Sequence, residues 1–253
     1  MGFLVRSVHI FVALTAVLIA PAVSAMQGVT PLRVDAPIEL DGRADEPFWS
    51  EAPALEGFEV FEPKTGLAPR FGSRGKIVYD REAITIYVEV DVGESDLFLP
   101  MATRDSTPSA DRVMVWLDTQ GLGRRAYAFS VTASGVLFDG LRQAGAPYRD
   151  GYDSSWDSLF DAAVHRGEER WSVEMRIPFM SLRFDPAQKR WGLHVFASSW
   201  KHQQEMSWVS IDRDVQNRVG QAAGLRLPED REPGRDLELL PSVTLSWFES
   251  RED

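Results

Sequence analysis

"AITIYVEVDV", residues 83–92, decides the fold. Ile84, Ile86, Val88 and Val90 fall on one side of an extended chain, and Thr85, Tyr87, Glu89 and Asp91 on the other. A period of two marks a strand with one buried face. The pattern recurs along the chain. In "RWSVEMRIPF" (170–179) Trp171, Val173, Met175 and Ile177 alternate with Ser172, Glu174 and Arg176. "RVMVWLDT" (112–119) is apolar through its middle, as a central sandwich strand is. "RAYAFSVTASGVLFDGL" (125–141) turns at "ASG" and reads as a hairpin, with Tyr127, Phe129 and Val131 on one face. "RWGLHVFASSW" (190–200) and "EMSWVSI" (205–211) supply two more strands. Turn signals arrive about every 8–12 residues, the spacing of a sandwich or barrel. The expected fold is all-β, an antiparallel, jelly-roll-like β-sandwich with one or two short helical turns. One such turn is expected in "DEPFWSEA" (45–52), with Asp45 as N-cap and Pro47 in the first turn. The other falls in "PFMSLRF" (178–184).

The chain has 253 residues, 44% of them hydrophobic, and no cysteine. A core of that size needs no disulfide. Residues 1–25 have the layout of a secretory signal: a short start bearing Arg6, the apolar run 10–20, then "AVSA" (22–25) with small residues where a signal peptidase reads. The apolar run falls short of the ~20 residues that span a bilayer. An exported chain without cysteine suits the periplasm of a Gram-negative bacterium. Without Arg6, 26 Lys and Arg face 38 Asp and Glu. An acidic chain lacking a basic cluster disfavours nucleic acid, because phosphate contacts need grouped cations. Residues 26–228 read as one sandwich domain. Residues 229–236, charged and broken by Pro and Gly, read as a linker. Residues 237–253 open with "LELLPSVTLSW" (237–247), which alternates again, has no obvious home in the sandwich and reads as the first strand of a truncated or missing β-barrel.

Catalytic motifs are absent from the sequence: no H-E-x-x-H, no G-x-S-x-G and no phosphate-cradling glycine loop. Acids are too plentiful for spacing alone to mark a glycosidase pair. The expectation is a domain without catalytic residues, with a hydrolase using the acid loops as a weaker rival. Among the eight tryptophans, Trp116, Trp171 and Trp191 lie in apolar phase and read as core. Trp156 differs, because it sits in the polar loop "GYDSSWDSLFD" (151–161). Sugars bind by laying a C–H face on an indole while polar groups take the hydroxyls, and an amphipathic ring in a polar loop suits that task. A ring tucked under its own loop is the other reading. Trp156, Asp139, Arg142, Arg104 and Asp105 are the candidate ligand-binding residues. The acid-rich loops 104–112 and 151–161 also raise calcium, which takes 6–8 oxygens. Asp105, Asp153 and Asp157 are its candidate ligands, although neither loop matches the D-x-[DN]-x-[DN]-G pattern.

The order of pieces carries a resemblance. "IELDGRADEPFWSEA" (38–52), "KIVYDREAITIYVEVDV" (76–92), "ADRVMVWLDT" (110–119), "RWSVEMRIPF", "WGLHVF" and a late "SW…GLRL" resemble the family 9 carbohydrate-binding modules, from about Val29 to Pro228. "SSWD" and "IPFMSLRF" look closer to a branch in which such a domain precedes an outer-membrane β-barrel in bacterial proteins. The resemblance implies a sandwich that binds oligo- or polysaccharide, often calcium as well, and serves polysaccharide breakdown or uptake beside glycoside hydrolases. It also implies a location in the periplasm or outer membrane. The alternative is a periplasmic plug or docking module of an outer-membrane β-barrel without sugar binding, in a chain either truncated before its barrel or free of one. The family's sugar clamp of two tryptophans does not carry over. One position falls in "STPSA" (106–110) and the other near Gln216, and Ser130 stands where an arginine would help.

Overall fold

A computed structural model describes residues 28–106, 109–147 and 151–227. The expected signal peptide, the linker and the alternating tail lie outside the described residues.

The strands are β1 (Gly28–Val29), β2 (Leu32–Arg33), β3 (Ala54–Leu55), β4 (Glu59–Glu62), β5 (Ser73–Tyr79), β6 (Ala83–Val90), β7 (Arg112–Asp118) and β8 (Arg125–Thr132). They continue with β9 (Leu137–Gln143), β10 (Tyr152–Asp153), β11 (Asp161–Arg166), β12 (Trp171–Pro178), β13 (Arg190–Ser199), β14 (Gln204–Ser207) and β15 (Ala223–Arg226). Among the described residues they form a larger sheet, in the order β1-β15-β13-β7-β8-β9-β10 with β14 also on β13 and β4 on β14, and a smaller one, β11-β12-β6-β5-β2 with β3 on β5. The pairings are antiparallel except β1 with β15 and β2 with β5. The two-sheet sandwich expected from period-two patterning is the fold. β7 is central, between β13 and β8, as its unbroken apolar middle implied. β8 and β9 form the expected hairpin.

Alternation places the core. Ile84, Ile86, Val88 and Val90 of β6 and Trp171, Val173, Met175 and Ile177 of β12 face Val113, Val115, Leu117, Phe129 and Val131 across the sandwich. Apolar area removed from water is the main stabilising term here. The second face of the smaller sheet departs from the expectation of a polar exterior. Thr85, Tyr87, Ser172 and Glu174 are buried there, because the strap of chain before β3 lies across them.

Helix is confined to lone 3-10 turns, at Pro47–Ser50, Glu94–Asp96, Phe179–Ser181 and Val219–Gln221. The first and third occupy the two expected places. The first begins one residue later than expected: Glu46, not Asp45, is its N-cap, and no side chain caps it. Pro47 supplies the start by its fixed φ.

Candidate functional site

One end of the larger sheet is built of loops. β7 begins there, β8 turns into β9, and β13 turns into β14. Residues 97–106 and 109–111 lie across this end. They are tied to the β8–β9 turn by Ser134 Oγ donating to the Pro100 carbonyl (3.0 Å) and by the Asp105 N–H donating to the Leu137 carbonyl (3.0 Å). Asp105 has φ +66°, a left-handed conformation that Asp tolerates better than most residues.

Arg104 lies where several candidates meet. Its Nη2 donates to Asp139 Oδ1 (2.8 Å) and to the Ser158 carbonyl (2.7 Å), and its Cζ stands 5.6 Å from the Phe160 ring centre. Asp105 Oδ1 is 3.7 Å from its Nε and Asp157 Oδ1 is 3.9 Å from its Nη2. Asp139 is 1% exposed and also accepts the Ser158 N–H at 2.8 Å. Burial raises its pKa from the ordinary carboxylate value, and the Arg104 charge opposes that rise. The arrangement is a buried carboxylate met by a guanidinium, and it ties the chain around Arg104 to the 154–160 loop.

The other candidates do not join one surface. Trp156 is half-buried against Tyr127 (4.8 Å between ring centres) and Phe129 (5.9 Å), so its indole packs on its own sandwich. Arg142 is 2% exposed. Its guanidinium sits 5.1 Å from both the Trp116 and Tyr152 ring centres and donates to the carbonyls of Ala146 and Pro147. Asp153 turns to its own loop, accepting from Ser155 N–H (3.0 Å) and Oγ (2.6 Å), which lowers its pKa. Asp105 and Asp157 flank the Arg104 guanidinium, and among the described residues no group of three or more His, Asp or Glu is placed to hold a metal ion.

The structure adds two residues that the sequence reading left aside. Phe98 and Trp200 stack at 5.0 Å with a 28° interplanar angle, and are 42% and 43% exposed. Their backbones converge on one group. Asp111, fully buried at the foot of β7, accepts the Phe98 N–H on Oδ2 (2.8 Å) and the Trp200 N–H on Oδ1 (3.2 Å). Burial raises the Asp111 pKa, and these N–H bonds oppose the rise by holding the charged form. A buried carboxylate is costly unless its oxygens are bonded. Here those bonds fix the peptide groups of two exposed rings. Polar residues adjoin the pair in sequence: Lys201 Nζ meets Asp96 Oδ1 at 2.5 Å, and His202 Nδ1 lies 2.9 Å from Ser199 Oγ. The signal was in the sequence, since Trp200 ends an apolar strand and enters the polar turn "WKHQ" (200–203), the same context that drew attention to Trp156.

A two-sheet sandwich with a loop-built end that displays a stacked aromatic pair has the build of a carbohydrate-binding module. The chain belongs to the family described as carbohydrate family 9 binding domain-like, whose sequence profile matches residues 40–218. Among solved structures it is similar to a family 9 carbohydrate-binding module from Caldicellulosiruptor kristjanssonii in complex with cellotriose. That likeness has 15% identity and a TM-score of 0.53, and covers 86% of this chain and 100% of that one. The same organism's module in complex with glucose gives 14% identity and a TM-score of 0.56, covering 85% and 100%. These likenesses establish the fold. No curated protein matches the chain.

Proposed function

We propose that this chain is an exported carbohydrate-binding domain serving polysaccharide breakdown or uptake, and that Phe98 and Trp200 form its sugar platform. The observation that carries the reading is an exposed, backbone-clamped aromatic pair on a sandwich of a carbohydrate-binding family. Rigid rings offer a flat apolar face with little entropy left to lose, and polar neighbours such as Lys201 are at hand for the hydroxyls. The platform supplies the aromatic surface that the family's clamp positions, 106–110 and Gln216, lack in this sequence. Export is supported by the signal-like layout of residues 1–25.

Titration calorimetry of the purified chain against glucose, cellotriose and a panel of other oligosaccharides tests the reading, with and without calcium. We expect at least one saccharide to bind, with quenching of tryptophan fluorescence. Trp200→Ala should weaken that binding by about tenfold, roughly 1.4 kcal/mol. Absence of binding to every saccharide at millimolar concentration, in both conditions, would sink the proposal. A calcium-dependent rise in melting temperature would support an ion among the loops that carry Asp105 and Asp157. A second reading, a docking module for an outer-membrane β-barrel, draws on the alternation of residues 237–247. It expects the chain to fractionate with a barrel protein in outer-membrane extracts, in a complex that survives added saccharide.

A further inference from the structure

The opposite end of the larger sheet carries cations in an otherwise acidic chain. Strand order brings Arg125 at the start of β8, Arg190 at the start of β13 and Arg226 at the end of β15 to this end, with Arg124 and Lys189 just before two of them. Arg190 and Arg226 are direct partners across the antiparallel β13–β15 pair. Like charges in that position repel. Both side chains are exposed, and neither is ion-paired to a described carboxylate. Asp118, at this end, is already committed. Its Oδ1 accepts the N–H groups of Gln120 (3.1 Å) and Gly121 (3.0 Å), and its Oδ2 that of Gly123 (2.6 Å).

Two clefts adjoin at Arg190. One of about 250 Å³ runs along Asp118, Gly220 and Gly224, and the other, of about 270 Å³, is bounded by Gly28, Gly224 and Arg226. Arg190 and Gly224 line both. A Cβ at position 224 would stand 3.2 Å from Arg190 Nε and 3.3 Å from its Nη2, so the glycine leaves room for the guanidinium to lie over position 224, in the cleft that Arg226 also lines. Two exposed arginines at the rim of one cleft, neither paired to a carboxylate among the described residues, suit an anion that offers two or more oxygens, such as a carboxylate or sulfate.

We propose that this end of the sheet binds the carboxylate of an acidic saccharide, held by Arg190 and Arg226. The carrier's being a saccharide rests on the carbohydrate-binding reading above, whereas the anion site rests on the arginine pair alone. Calorimetry with trigalacturonate, its methyl-esterified form and inorganic sulfate tests it on the full chain. The readout is the affinity ratio of acid to ester. In wild type we expect a ratio of about ten or more, falling with added salt. In the Arg190→Gln/Arg226→Gln variant the ratio should fall to about one, with a melting temperature no lower than wild type, because a repelling pair has been removed. Trp200→Ala should leave the ratio as it is. A wild-type ratio of one, or a ratio unchanged in the double variant, overturns the proposal. Sulfate binding as tightly as trigalacturonate overturns the saccharide assignment. Failure of neutral sugars to bind, with the acid still bound through the arginines, counts against the Phe98–Trp200 platform and not against this site.

Discussion

Trp49 is fully buried, with its ring centre 5.5 Å from Phe48 and 5.8 Å from Tyr87. The acidic stretch around it therefore closes a turn and lays a large ring on the smaller sheet. Trp49→Ala should cost about 3–5 kcal/mol, read from denaturant unfolding, because it opens a cavity among Val34, Ala52 and Val78. A variant that keeps wild-type stability would show the pocket collapsing around the loss. Asp111 makes a different kind of prediction. Asp111→Asn keeps the shape but sets an amide N–H₂ against one of two buried N–H donors, so we expect a loss of about 1–3 kcal/mol. Saccharide affinity should drop with it, because Phe98 and Trp200 lose their shared anchor. Full affinity in a destabilised Asp111→Asn chain would mean that the rings hold their positions without the clamp. The comparison of Trp156 with Trp200 is instructive at this scale. Both are tryptophans in polar loops, yet neighbours decide their roles: Tyr127 and Phe129 cover one, while Phe98 supports the other and leaves it open.

At the scale of elements, the strap before β3 is held to the smaller sheet at Asp41 and Gly42 by a carboxylate and a hydroxyl. Glu174, on β12, accepts the N–H groups of Asp41 (3.0 Å) and Gly42 (2.9 Å) on Oε2, and Ser172 Oγ donates to the Gly42 carbonyl (2.7 Å). Gly42 has φ +84°, and a Cβ there would stand 2.6 Å from the backbone N of His165 on β11. The "LDG" of the sequence is thus a turn pressed onto two strands more than 120 residues away. Gly42→Ala meets both the conformational penalty and the backbone clash, and should destabilise by more than the ~1 kcal/mol of an ordinary glycine replacement. Thermal melts check this, and a variant within error of wild type would show that the strap shifts freely.

Across the whole molecule, two buried groups set opposing responses to pH. Burial pushes Glu174 up to about 7 from 4.5, and pushes His194, packed between Trp116 and Phe196, down to about 4 from 6.5. The folded chain holds the Glu174 proton more tightly than the unfolded one, so this stabilisation is full below pH 4.5 and lost as pH rises through about 7. His194 contributes above pH 6.5, and that contribution is lost as pH falls toward 4. Each effect is on the order of 3 kcal/mol. Between pH 4.5 and 6.5 their slopes oppose each other, which flattens the profile. Glu174→Gln should expose the His194 slope, giving stability that falls steadily from pH 6.5 to 4 in urea titrations. A variant profile parallel to wild type would remove Glu174 from the account.

Much of this protein was legible in its sequence. Alternation in residues 83–92 and 170–179 named the buried face, the unbroken run in 112–119 named the central strand, and "ASG" named a hairpin, because all three depend on local spacing and turn chemistry. The ordered pieces pointed to the family. The site was less legible, because its members lie far apart in the chain. Asp111 meets Phe98 across 13 residues and Trp200 across 89. Arg104 meets Asp139 across 35. Local pattern decides which way a side chain points from its strand. Only the stacking of strands decides what covers it, and so it was the tertiary structure that buried Arg142 and Asp139, turned Trp156 inward and left Phe98, Trp200, Arg190 and Arg226 facing water.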